Sequence, residues 1–283
     1  MFDKKMKKNN FDTIKKGYLF LPNFFNEYEI ESLKKSIEIK KKNNENFNDF
    51  KEESLWDFVT NQRVIEKVKI FTGEKAFFLY SASLLCDTIG TNYSWHRDNP
   101  YRQTGVGPDW DEDQKYNVVS AILYLNDSDK TSTGLNLIPY SNRRKYNRTF
   151  SNLLRWLHWK IKKTNFFFFR KFIEKIIGEE INYKSGDLLI FYCNIFHTGY
   201  LNSFLKKKGD ESRKAIIARF GGIGKHSVNF MRYELNHRHL NDKLDEVNNL
   251  EKFYDKLKTQ GSFIEPDFNK IEKVEGMFVP KKN

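Results

Sequence analysis

The feature that most constrains this chain is a series of short β-like runs beginning at Phe77. The runs are Phe77–Leu85, Asn117–Leu125, Leu135–Pro139, Leu188–Phe196 and Ala215–Phe220. Each is rich in aliphatic, β-branched or aromatic residues, and turn-type residues separate them. Helical signals come first. Gly17–Pro22 reads as a short strand ending at a proline. Asn26 is then placed to cap a helix, with Glu27 and Glu29 in its first turn and Ile30, Leu33, Ile37 and Ile39 as its apolar positions. The polar tract Lys40–Asp49 reads as a loop, and Trp56–Phe71 as a second helix through Val59, Val64, Ile65 and Val68. There is no internal repeat, and the tail after Met231 is charged and helix-like around Leu240–Leu257. Helices followed by many short strands imply a mostly β sandwich or barrel with helices packed outside.

With 283 residues, 39% of them hydrophobic, the chain can bury a substantial core. A single domain spanning 1–283 is expected, with an insertion at about 141–178 and an extension from about 231. No run approaches the eighteen apolar residues of a membrane-spanning helix. The first residues, Met1 to Lys8, lack an apolar signal core, and only Cys86 and Cys193 are present. A cytoplasmic location without a disulfide framework is therefore expected.

The chemistry concentrates at His96-Arg97-Asp98. On an extended strand residues i and i+2 share a face, so His96 and Asp98 present an imidazole and a carboxylate together. By itself His-x-Asp also describes a surface histidine beside a solvated aspartate. The best third ligand is His197, which follows the apolar run Leu188–Tyr192 and the turn Lys184-Ser185-Gly186-Asp187. Two histidines and one carboxylate on one face of a metal form the facial triad of non-haem Fe(II) oxygenases. Cys193, four residues before His197, reads as a buried structural thiol.

Further pieces fall in order along the chain. They are Gly17-Tyr18 with Leu21-Pro22, Tyr124-Leu125-Asn126-Asp127, Thr133-Gly134-Leu135 with Ile138-Pro139, Gly186-Asp187-Leu188, His197-Thr198-Gly199 with Asn202, and Arg213-Lys214-Ala215-Ile216. Together with His96 and Asp98 they resemble the phytanoyl-CoA dioxygenase family of Fe(II)/2-oxoglutarate oxygenases, from Gly17 to about Gly222. The resemblance implies a double-stranded β-helix, a jelly-roll barrel, with iron and 2-oxoglutarate inside. It implies His96, Asp98 and His197 as iron ligands, Arg213 as the clamp for the distal carboxylate of 2-oxoglutarate, and Asn202 beside the cofactor. A guanidinium fork suits that clamp because it can hold a carboxylate by two parallel hydrogen bonds. Arg219, six residues on, competes for the role; nucleic-acid demethylases of the superfamily also carry two arginines six apart. Two departures stand out: Tyr140-Ser141-Asn142 replaces the usual Gly-Ser-His, and an insertion at Phe204–Asp210 lengthens the interval from His197 to Arg213. Related halogenases replace the carboxylate ligand with a small residue. Asp98 thus implies hydroxylation, with O2 consumed and succinate and CO2 released. The alternatives are an oxidative demethylase acting on nucleic acid or a phosphorylated substrate, and a non-catalytic basic binding module.

Two insertions bear on the substrate. The loop Asn99–Lys115 carries Tyr101, Arg102, Trp110 and four acids, and reads as a lid or as a solvated loop. Between Ser141 and Lys175 stand eleven Lys or Arg against one acid, Glu174, so this segment holds +10 of the chain's +12 charge. It also holds nine aromatics. One helix over Asn152–Ile177 would align Leu153, Leu157, Ile161, Phe168, Phe172 and Ile176. Three readings follow: a lid packed on the barrel, peripheral contact with an anionic membrane through 152–177, or binding of a phosphorylated or nucleic-acid partner. A small-molecule, lipid or glycolipid substrate is the expectation, and nucleic acid is the weaker one.

Overall fold

The structure, a computed structural model, describes residues 11–42, 53–87, 95–100, 115–131, 133–142, 149–161, 167–201, 213–237, 250–259 and 261. The expected lid residues 101–114, Asn202 and the insertion Phe204–Asp210 lie outside them.

Among the described residues, eight strands form two antiparallel sheets. One contains β1 (Tyr18–Leu21), β6 (Leu188–Tyr192), β3 (Val118–Tyr124), β8 (Arg213–Gly221) and β2 (Phe77–Asp87), in the spatial order β1-β6-β3-β8-β2. The other contains β5 (Glu179–Ile181), β4 (Thr133–Leu137) and β7 (His197–Leu201), in the order β5-β4-β7. This is the expected jelly roll, built as two facing sheets with helices outside. Strand β2 is bulged between Phe78 and Ala82 where it pairs with β8.

The large sheet is covered on both faces. All seven residues of β3 and all five of β6 are buried, which is why these strands read as continuous apolar runs rather than alternating ones. Alternation survives in what each residue touches. Ile216, Ala218 and Phe220 of β8 join the main core, while Arg213, Ala215, Ile217 and Arg219 line the space between the sheets.

Helices α1 (Glu27–Lys42), α2 (Glu53–Val59) and α3 (Gln62–Thr72) lie N-terminal to β2. Asn26 caps α1 reciprocally: its Oδ1 accepts from the Glu29 N–H at 3.0 Å, and Glu29 accepts from the Asn26 N–H at 2.8 Å. The helix runs three residues, Lys40 to Lys42, into the tract expected to be loop. The single helix expected over Trp56–Phe71 is instead two. Asn61 breaks it, its Oδ1 accepting the N–H groups of Arg63 and Val64 to start α3, while the Thr60 hydroxyl donates back to the Trp56 carbonyl. Apolar spacing continues across the break, so periodicity alone does not reveal it.

After the short α4 (Ser128–Thr131) and β4, the chain forms α5 (Thr149–Ile161) and α6 (Phe167–Ile177). These replace the single helix expected over Asn152–Ile177, and the two pack against each other. The expected apolar stripe is divided accordingly: Leu157 and Ile161 turn inward, whereas Leu153, Phe172 and Ile176 are exposed. Helix α7 (Lys225–His237) and α8 (Leu250–Thr259) follow β8. Phe230 and Met231 of α7 and Leu257 of α8 are buried in the main core, so these two helices pack with the large sheet.

One turn requires glycine. Gly186 has φ +92°, and a Cβ there would run into the Phe25 carbonyl. Asp187 fixes the same turn, accepting from the N–H groups of Asn23 and Lys184, each at 2.7 Å.

Candidate functional site

Two backbone features bring the histidines together. His96 forms an isolated antiparallel bridge with His197, each N–H donating to the other's carbonyl at 2.9 Å. The Asp98 N–H donates to the Cys193 carbonyl at 2.7 Å, at the tight turn between β6 and β7. The extended stretch 95–98 thereby joins the small sheet beside β7, with His96 and Asp98 directed into the gap between the sheets.

There the His96 and His197 rings lie 4.2 Å apart between centroids, and both Nε2 atoms stand 3.6 Å from Asp98 Oδ1. All three ligand-type atoms fall within 4.8 Å of one another, spacing that suits one shared cation. The His197 side chain is 6% exposed, Asp98 17% and His96 40%, so the cluster opens to solvent on the His96 side. His197 Nδ1 lies 3.2 Å from the Ile195 carbonyl, and donation to it leaves Nε2 as the free lone pair. Burial, with His96 adding to it, lowers the His197 pKa to about 4 and keeps the ring neutral as a ligand must be. Cys193 is not in the cluster. It is buried, its sulfur lies 3.3 Å from the Ser120 hydroxyl, and burial pushes its thiol up to about 12.

The two arginines project from the same face of β8 into one cavity of about 180 Å³. Arg219 donates to Asp98 Oδ2 at 2.9 Å. Burial opposes its charge, but Asp98, with smaller contributions from Cys193, Glu234 and Tyr116, offsets this and holds its pKa above the usual value. Arg219 is thus tied to the carboxylate of the cluster. Arg213 is buried toward the other end of β8, where the register sets Tyr124 opposite Ala215. Tyr124 also lines the cavity, and its hydroxyl is buried without a hydrogen-bond partner. Its ring stacks on Tyr183 at 3.6 Å, and burial raises its pKa, so the phenol keeps its proton. A proton-bearing phenol lacking an acceptor, beside a buried guanidinium, suits a carboxylate. The sequence places this tyrosine in the motif Tyr124-Leu125-Asn126-Asp127 but assigns it no role, because a Tyr ending a nearly apolar strand reads as core. Ile122, Leu135 and Phe191 supply apolar wall between the two ends.

The residues between and before the ligands point the other way, toward the helical pair. Trp95 and Phe196, which immediately precede His96 and His197, pack with Leu154, Leu157, Ile161, Ile173 and Ile177. The Arg97 and Arg155 guanidiniums lie over the Phe196 ring at 3.8 and 3.5 Å. Ser141 secures this backing: its hydroxyl accepts from the Phe196 N–H at 2.9 Å and its carbonyl accepts from Arg97 at 2.9 Å. In the departing triplet Tyr140-Ser141-Asn142, the serine therefore has a visible structural task.

A family model, phytanoyl-CoA dioxygenase, matches residues 38–206, more than half of the chain. The chain belongs to the phytanoyl-CoA dioxygenase family. The matched span includes His96, Asp98 and His197 and stops before β8, so both arginines lie beyond it. No curated protein matches significantly. Among solved structures, HygX from Streptomyces hygroscopicus with nickel and 2-oxoglutarate is 15% identical at a TM-score of 0.54, covering 76% of this chain and 87% of its own. The epimerase SnoN in complex with Fe3+, alpha ketoglutarate and nogalamycin RO is 12% identical at a TM-score of 0.50, covering 78% and 84%. At such identities the likeness establishes a shared fold. It agrees with the two facing sheets and flanking helices of this member of the phytanoyl-CoA dioxygenase family.

Proposed function

We propose that this protein is an Fe(II)- and 2-oxoglutarate-dependent dioxygenase that hydroxylates an unactivated C–H bond of a small-molecule or lipid-like substrate. The observation that carries this reading is the cluster of His96, Asp98 and His197 within 4.8 Å, in a chain of this family. His96, Asp98 and His197 would hold the iron, and Arg213 with the Tyr124 hydroxyl would hold the distal carboxylate of 2-oxoglutarate. Bound together, iron and 2-oxoglutarate supply the oxidising chemistry, consuming O2 and releasing succinate and CO2. The chain contributes geometry and exclusion of water. Arg219 holds Asp98 by its far oxygen so that Oδ1 faces both histidines, and the Ile195 carbonyl orients the His197 ring. The apolar wall of the cavity keeps bulk water from the space between metal and clamp.

HygX and SnoN are solved with hygromycin B and nogalamycin RO respectively, which supports a small organic substrate here. The contact between Arg219 and Asp98 also favours Arg213 as the clamp, since Arg219 is already engaged. The test is anaerobic titration of the protein with Fe(II) and 2-oxoglutarate, followed by a substrate screen read as succinate release and product mass. A visible metal-to-ligand absorption band, absent in His197→Ala, and a product heavier by one oxygen are expected. A competent band with an isomerised product of unchanged mass would replace hydroxylation with epimerisation. Absence of the band would leave the non-catalytic binding module.

A further inference from the structure

We infer that the outer face of the α5–α6 pair docks the protein on an anionic lipid surface. The pair has two faces with different tasks. Its inner face is occupied: Leu154, Leu157, Ile173 and Ile177 pack on Trp95, Ile138 and Phe196 behind the histidines. Its outer face carries six of the ten large hydrophobic residues that are exposed among the described residues. They are Leu153, Trp156, Trp159, Phe169, Phe172 and Ile176, each between 44% and 59% exposed. On α6, positions 169, 172 and 176 follow one helical stripe, and on α5 positions 153 and 156 do the same.

Charge selects the occupant. Of the twelve ionised residues between 141 and 175 only Glu174 is acidic, and it is turned inward, 3% exposed and 2.7 Å from the buried His158. The segment therefore presents no acid outward, and Lys160 lies over the rings of Trp156 and Trp159 at 5.7 and 5.1 Å. A second copy would oppose this basic charge with its own. Nucleic acid offers nothing to Leu153 and Ile176, which gain only from a non-aqueous medium. Anionic headgroups above acyl chains satisfy both the basic and the aliphatic residues, with the tryptophans at the boundary. No helix among the described residues is long and apolar enough to cross a membrane, so the contact is peripheral. It does not depend on the proposed reaction.

The test is co-sedimentation of the full chain with vesicles of phosphatidylcholine mixed with phosphatidylglycerol, and with phosphatidylcholine alone, at low and high salt. Wild type should sediment with the anionic vesicles and far less with the neutral ones. Trp156→Ser and Phe172→Ser should each lower partitioning roughly tenfold at every salt concentration, through lost apolar burial. Lys160→Glu should weaken binding mainly at low salt, where screening is least. The inference is overturned by absence of wild-type binding at low salt, undiminished binding by the Trp156→Ser/Phe172→Ser double variant, loss of cooperative melting in that variant, or a self-association in solution that the double variant abolishes. Binding of a single-stranded oligonucleotide in place of vesicles would also overturn it and assign the face to nucleic acid.

Discussion

Arg213 and Arg219 extend from one face of one strand, yet they meet different demands. Arg219 serves Asp98, so Arg219→Ala should weaken Ni(II) or Fe(II) binding by about tenfold to a hundredfold, the usual effect of losing a group that orients a ligand. Its 2-oxoglutarate affinity at saturating metal should change little. Arg213→Ala should do the reverse, raising the 2-oxoglutarate dissociation constant by roughly tenfold to a hundredfold, since a charge-assisted hydrogen bond is worth about 1.5–3 kcal/mol. Calorimetric titration of metal, then of 2-oxoglutarate, separates the two, and the opposite ranking would move the clamp to Arg219. Tyr124→Phe should fall between wild type and Arg213→Ala, with its melting temperature preserved or raised, because it removes a buried hydroxyl that has no partner. His197→Ala should abolish metal uptake and leave the far-ultraviolet spectrum unchanged, since the residue faces the cavity and not the main core. At this scale the sequence is most informative where chemistry and strand spacing coincide. His96 and Asp98 are two apart, and His197 follows a turn, so all three could be nominated together. The attachment of Arg219 to Asp98 crosses 121 residues and depends on how β8 passes the metal-side stretch, which no local pattern encodes.

Among the elements, β3 and β6 of the large sheet are the most legible, because burial on both faces makes them almost wholly apolar. Strands β5 and β7 were missed as strands. One is three residues long and largely exposed, and the other carries His, Thr and Gly, whose placement is set by pairing with β4. The α5–α6 pair is legible in composition but not in shape, since apolar residues of the two helices also satisfy one continuous helical stripe. What joins the two helices inside is a polar pair, His158 and Glu174, with Asn136 of β4 placed 3.4 Å from the second carboxylate oxygen. Glu174→Ala should therefore cost about 3 kcal/mol or more, the range for removing one member of a buried pair. Replacing both residues by leucine should recover much of that loss. Chemical denaturation of the two variants measures both values. Because Trp95 stands 6.2 Å from His158, the Glu174→Ala protein should also bind Ni(II) more weakly than wild type, and the double leucine variant should regain affinity along with stability.

On the scale of the whole molecule, residues from both ends of the described chain share one core. Phe25 and Ile30 near the start and Leu257 near the end belong to the same buried cluster as the large sheet. Leu257→Ala should thus destabilise the entire protein by about 2–5 kcal/mol, as deletion of a core leucine does, and lower a single unfolding transition without splitting it. Two separate transitions would indicate that α8 melts independently. The reciprocal hydrogen bonds between His96 and His197 bear on the order in which the molecule assembles. They close a loop of about a hundred residues, and such closure carries an entropic cost that local helices and hairpins do not face. In refolding, competence to capture metal should accordingly lag the recovery of helical signal, making nickel uptake a clock for the final step. A newly made chain would then be unable to hold iron before its fold is complete, and would be spared the oxidative damage that loosely held iron brings.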